Sequence, residues 1–285
     1  MPACETISYQ GAPAIRLHSP HAGSATILLH GGQVVSWRDP AGQERLYLSP
    51  LSPLDGGQAV RGGVPVIFPQ FSGRGPLLRH GFARTQAWAW LPMPESTSDQ
   101  PSATLVLTES ENTLALWPFS FRCELQVALT PWQLELRFTA SNTGDQAWTF
   151  CAALHTYLAA GPLGSMTLQG LEKLTYEDAL QARSVKQAPD AALPIEHAID
   201  RIYYNTQKPL RLTSPQGQLA LMHRGWPDTV VWNPGPEGAL KISDLPDTDH
   251  DRFLCIEAAL IGEPQRLTPG EQWSGAQILR AEPKP

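Results

Sequence analysis

Apolar and polar positions alternate with a period of two over short stretches of this chain, and glycine or proline interrupts nearly all of them. The cleanest run is 134–140, where Leu134, Leu136 and Phe138 alternate with Glu135, Arg137 and Thr139. Alternation of this kind lays one side of a strand on a core and leaves the other toward water. Comparable runs predict strands at 25–29, 34–37, 86–91, 103–108, 119–129 and 148–158. In the second half they fall at 210–213, 218–223, 229–232, 253–260, 265–267 and 274–279. His30-Gly31-Gly32-Gln33 and Ser214-Pro215-Gln216-Gly217 read as hairpin turns, and Asn142-Thr143-Gly144-Asp145 as a third turn. Only 112–117 and 177–182 suit a helical turn or two, because 27 prolines and 23 glycines are spread throughout. Short strands at close spacing between turn signals make an all-β, antiparallel chain, a sandwich or a barrel. The polar segment 95–102 reads as a hairpin loop and not a linker, since strand signals resume at equal density on both sides. Residues 1–285 are therefore expected to form a single domain.

Composition narrows the class. Hydrophobic residues make up 42% and charged residues 17%, the balance of a globular protein. A formal net charge of −6 and the lack of a basic amphipathic run argue against nucleic-acid and membrane partners. No apolar run reaches the ~18 residues of a membrane-spanning helix, and Met-Pro-Ala-Cys-Glu-Thr shows no secretory signal. Cys4, Cys123, Cys151 and Cys255 are widely spaced, which suggests reduced thiols in a cytoplasmic protein. The eight histidines show no metal-ligand spacing, so neither a metal nor another cofactor is expected.

Against this acidic background the stretch 58–84 is cationic. Arg61 and Arg84 lie near its ends, with Arg74, Arg79 and His80 between. A surface loop with solvated arginines would use the same residue types. The constrained order of Arg-Gly-Gly-Val-Pro-Val-Ile-Phe-Pro and His-Gly-Phe-Ala-Arg favours a built anion pocket. Two predicted strands each carry an ionisable residue among small neighbours. In 150–157, alternation groups Cys151, Ala153, His155 and Tyr157 on one face, with Leu154 and Leu158 on the other. In 253–259, Cys255, Glu257 and Ala259 share a face opposite Leu254 and Ile256. Taken singly, His155 reads as a satisfied core histidine and Glu257 as a salt-bridged strand carboxylate. The shared small-neighbour setting favours an acid/base pair.

These motifs carry a resemblance. Together with Leu154-His155-Thr156-Tyr157, Cys255-Ile256-Glu257, Asp200-Arg201-Ile202-Tyr203 and Val231-Trp232-Asn233-Pro234, the 58–84 stretch resembles the hexose-6-phosphate mutarotases. These are the glucose-6-phosphate 1-epimerases, a branch of the aldose 1-epimerase or galactose mutarotase-like group. The likeness runs from about residue 25 to 281. It implies the large β-sandwich of that group, with His155 and Glu257 catalytic and Arg61, Arg79, His80, Arg84 and Asp200 binding substrate. Without it, Asp200 reads as a turn or capping residue. Arg79 departs from the glutamine or other polar residue expected just before His80, and whether Arg74 or Arg79 meets the phosphate is left open.

The implied reaction exchanges the anomers of a phosphorylated hexose by opening and reclosing the ring, on a monomer that needs no cofactor. Glu257 would take the C1 hydroxyl proton and a protonated His155, its pKa raised by the nearby carboxylate, would protonate the ring oxygen. Two other readings stand beside it: an aldose 1-epimerase acting on free galactose or glucose, and a non-catalytic sugar-binding protein on the same fold. Most of the nine tryptophans read as packing residues, with Trp232 placed near the ligand.

Overall fold

A computed structural model describes residues 3–92 and 100–282. Among these residues the chain forms three sheets whose strand ladders are antiparallel. Cys4–Tyr9, Ala12–Ser19, Gly23–Leu28 and Val34–Arg38 make a four-stranded meander. A nine-stranded sheet runs in the order Leu193–Ile195, Met166–Gln169, Leu210–Ser214, Gly217–Arg224, Gln272–Ala281, Gln133–Asn142, Phe121–Thr130, Ser102–Thr108 and Ala89–Leu91. The eight-stranded sheet carries the chemistry. Its order is Ser184–Gln187, Thr175–Asp178, Ile199–Tyr203, Asp228–Asn233, Phe253–Leu267, Trp148–Leu154 and Val66–Ile67, with Tyr157–Ala159 also paired to Phe253–Leu267.

One apolar cluster joins all three sheets: Trp37 from the first, Leu136 and Phe138 from the second, Leu154 and Ile256 from the third. Phe121–Thr130 and Gln133–Asn142 alternate buried and less buried residues along their full length, as a sandwich strand with one wet face must. Residues 253–261 behave differently, being buried at every position. One face of that stretch meets the sandwich core, and loops cover the other.

The two hairpins and the 142–145 turn fall where the alternation put them. Glu111–Leu116 forms the one α-helical turn the sequence suggested near 112–117, capped by Ser110. At 177–182 only Ala179–Gln181 is helical, a 3-10 turn following the strand Thr175–Asp178. Residues 95–99 of the expected 95–102 loop lie outside the described residues. The predicted strands at 253–260 and 265–267 are one element. Residues 261–264 bulge opposite Cys151 alone, and Asp228 Oδ2 accepts the N–H groups of Ile261 and Gly262 to hold the bulge. Conversely, the predicted 148–158 strand breaks at His155 and Thr156, where Thr156 N–H turns back to the Leu154 carbonyl at 2.9 Å.

Candidate active site

Close backbone approaches shape the 58–84 segment. Gly63 has φ +58° and Gly81 φ +67°, and a Cβ would lie 2.1 Å from the Val34 carbonyl oxygen at the first and 2.2 Å from that of Phe68 at the second. No side chain fits at either point. Pinned there, the segment wraps one cavity of about 350 Å3, and Arg61, Arg79, His80 and Arg84 all line it. His155, Asp200 and Glu257 line the same cavity, together with Tyr157 and Trp232. All seven residues singled out from sequence thus converge.

Strand register brings the pair together. Leu154 lies opposite Ala258 and Tyr157 opposite Cys255, so the same register holds across the two-residue gap and His155 faces Glu257. His155 Nε2 is 3.3 Å from Glu257 Oε1. The His155 N–H donates to the Pro65 carbonyl at 3.0 Å, fixing the break against the arginine segment. Tyr157 stacks on the imidazole with centroids 4.9 Å apart, and Trp232 meets it edge-on at 5.8 Å. The predicted faces hold. Ala153 and Ala259 pack together on the cavity side, and Leu154, Leu158, Leu254 and Ile256 enter the sandwich core. Both partners keep a buried polar atom without a protein partner, His155 Nδ1 and Glu257 Oε2. Such atoms are rare in folded proteins and suit a ligand that supplies donors and acceptors.

Electrostatics correct one expectation. The carboxylate was expected to raise the histidine's pKa, yet burial, followed by the charges of Arg84, Arg61 and Arg79, pushes His155 down to about 3. Glu257 is pushed well up, by burial and then by Asp200. Burial resists charge on both partners, and the arginines resist it further on the imidazole, so the empty cavity disfavours the ionised form of each. His80 is held down to about 2, by burial first and then by its neighbours His155, Arg84, Arg79 and Arg61, any charge on which opposes a second one here. Its Nδ1 accepts the Ser72 N–H at 3.3 Å, which leaves Nε2 as the protonated nitrogen.

The arginines are not equivalent. Arg61 Nε donates to Asp244 Oδ1 at 2.9 Å and its Nη1 to the Tyr157 hydroxyl at 3.2 Å. Arg84 Nη2 donates to the Arg79 carbonyl at 2.9 Å, while its buried Nε has no partner in the protein. Arg79 is an exposed residue at the rim. Arg74 is not part of the lining; it pairs with Glu177 at 2.5 Å. Asp200 sits within the strand Ile199–Tyr203 and not in a turn or cap, opposite Trp232. Burial, with Asp178 and Glu177 nearby, raises its pKa. Two contributors escaped the sequence reading. Alternation places Tyr157 on the cavity face but marks no role for it. Asp244, which anchors Arg61, lies 183 residues away in a segment without strand or helix signal, and nothing local marks it.

The sandwich is the fold of the galactose mutarotase-like proteins. The crystal structure of "a putative mutarotase (YeaD) from Salmonella typhimurium" superposes with a TM-score of 0.89 at 25% identity, covering 99% of this chain and 95% of that one. Galactose 1-epimerase from Lactobacillus acidophilus NCFM shares the fold with a TM-score of 0.75 at 14% identity, over 98% of each chain. The chain belongs to the aldose 1-epimerase family, whose model matches residues 13–280. A Cenchrus ciliaris protein named "Putative glucose-6-phosphate 1-epimerase" is 33% identical over 268 residues, 91% of this chain and 82% of the relative. The Escherichia coli K12 protein of the same name is 31% identical over 263 residues, 90% of this chain and 86% of its own length.

Among the described residues no helix is long and apolar enough to cross a membrane, and no cluster of three His, Cys, Asp or Glu residues could hold a metal ion. The four cysteines are free thiols.

Proposed function

We propose that this protein interconverts the α and β anomers of a hexose 6-phosphate, with glucose 6-phosphate the foremost substrate. The observation that carries the reading is one cavity holding both a buried His155–Glu257 pair at 3.3 Å and three arginines, Arg61, Arg79 and Arg84. The names of the plant and bacterial relatives support the same substrate. Glu257 Oε2 takes the proton of the C1 hydroxyl as His155 gives one to the ring oxygen. The hemiacetal opens, the aldehyde rotates about C1–C2, and the ring recloses on the other face. Asp200 and His80 hold sugar hydroxyls, and Trp232 closes one wall. The same two groups exchange roles on reclosure, so no net proton is consumed and no covalent intermediate forms.

The phosphate has two effects here. It binds the arginines, Arg84 above all, whose Nε is otherwise unpaired. It also offsets the positive field that opposes protonation of His155. That makes the tautomer with ionised Glu257 and protonated His155 accessible, and this is the tautomer the chemistry needs. An uncharged hexose supplies neither effect, which weighs against the free-sugar reading. A sugar-binding protein without catalysis has no use for a proton donor and acceptor packed together in a buried site. The four free thiols suit the reducing cytoplasm, where we take the enzyme to act as a monomer. Exchange spectroscopy on equilibrated glucose 6-phosphate, with glucose in parallel, tests the substrate. Faster exchange of the phosphorylated sugar supports the reading, and a preference for free glucose overturns it.

A further inference from the structure

Behind the acid/base pair, on the opposite face of the same strands, lies a polar chain inside the apolar core. Gln277, on Gln272–Ala281 of the nine-stranded sheet, is fully buried. Its Nε2 donates to the Ile256 carbonyl at 3.1 Å and lies 3.1 Å from His223 Nε2. Its Oε1 accepts the Thr156 hydroxyl at 2.5 Å. His223, directly across the ladder from Gln277, places Nδ1 3.0 Å from Thr229 Oγ1. With both Nε2 hydrogens of Gln277 donated, His223 Nε2 is the acceptor and Nδ1 carries the proton. Leu154, Leu254 and Leu279 belong to the apolar cluster in which this chain is embedded.

The contacts it makes are specific in place. Thr156 follows His155 at the strand break, and Ile256 precedes Glu257. The Ile256 N–H also donates to the Thr156 carbonyl at 3.1 Å. Across a break in the ladder, one glutamine from the other sheet therefore grips both strands beside their functional residues. A buried polar network costs desolvation and stabilises only when every member is paired. Every donor and acceptor of this glutamine is used.

We propose that Gln277 is a positioning residue for anomer exchange, fixing the separation of His155 and Glu257 through Thr156 and the Ile256 carbonyl. The proposal rests on the function proposed above. Gln277→Met keeps the length and deletes all three bonds. Thr156→Val removes one hydroxyl from a residue of the same shape, and Thr156→Ser retains it. Misplacing a catalytic group by about 1 Å costs up to about 100-fold in rate. Gln277→Met and Thr156→Val are therefore expected to lose about 10- to 100-fold in kcat on glucose 6-phosphate, with KM changed less than about threefold. Thr156→Ser returns to within about twofold of wild type. The His155 imidazole nitrogen resonances should move in the first two variants and not in the third.

Wild-type kcat in folded Gln277→Met or in Thr156→Val overturns the proposal. So does a rise in KM matching the loss of kcat, which marks general loosening. Should Gln277→Met not fold, Thr156→Val decides by the same criteria. Were the wild-type protein to show no exchange at all, the functional reading would fail by itself. The resonances would still decide this point, since an unmoved His155 in Thr156→Val contradicts positioning.

Discussion

Replacing Arg84 with methionine separates the phosphate from the sugar. The side chain keeps its apolar reach and loses the guanidinium, whose buried Nε has no protein partner and whose Nη2 donates only to the Arg79 carbonyl. A hydrogen bond to a charged group is worth about 1.5–3 kcal/mol, so losing it raises KM for glucose 6-phosphate by about 10- to 150-fold. The phosphate is remote from C1 and bound alike through the reaction, hence kcat falls less than KM rises. On free glucose the same change removes a positive charge that opposes protonation of His155, and the rate should hold or rise. Anomer-exchange NMR at several concentrations of each sugar gives both constants. Equal loss on both sugars, or a loss confined to glucose, would refute the phosphate pocket.

Arg61→Ala should differ by also lowering Tm, because it leaves the mostly buried Asp244 carboxylate and the Tyr157 hydroxyl unpaired; a Tm equal to wild type contradicts the ion-pair role. His155→Ala and Glu257→Gln should each lose about 10²–10⁴-fold in kcat with the fold intact by circular dichroism, and the double variant should lose less than the product of the two. The pH profile should be a bell reporting the coupled pair. Bound phosphate adds negative charge that favours protons, so both limbs of kcat should lie at higher pH than those of kcat/KM. Coincident limbs would count against the phosphate's action on the pair. Because burial raises the Glu257 pKa in the folded state, wild type loses stability as pH climbs above the unfolded carboxyl value of about 4.3. Glu257→Gln should therefore melt higher than wild type at pH 8 and at the same temperature near pH 4. A variant less stable at pH 8 would contradict the direction of that shift.

What the chain's pattern revealed depended on how local the cause was. Period-two alternation marked Phe121–Thr130 and Gln133–Asn142 well because each has one wet and one dry face. The same rule put His155 and Glu257 on the cavity side, since the strand break at 155–156 preserves register and so keeps the faces. Alternation does not mark the segment before residue 24 or the short strands between Met166 and Tyr203. Cys4–Tyr9 is only partly buried along its length, and Ser184–Gln187 alternates intermediate with exposed positions, so apolar contrast is weak. Their strand form comes from neighbours across the sheet. The histidine's protonation was misjudged for a related reason. Sequence supplied the nearby carboxylate but not the depth of burial, nor three guanidinium groups lining the same cavity as the imidazole. Asp244 and Gln277 act across 183 and 121 residues, a range at which pattern carries no information.

The central claim, that a His155–Glu257 pair exchanges the anomers of a phosphorylated hexose, is tested most directly by two-dimensional exchange NMR on equilibrated glucose 6-phosphate. Spectra would be compared without protein, with wild type, and with folded Glu257→Gln. The account predicts α/β cross-peaks that grow with wild-type concentration and fall back toward the protein-free rate in the variant. Wild-type spectra indistinguishable from the protein-free control, or equal exchange in wild type and Glu257→Gln, would contradict it.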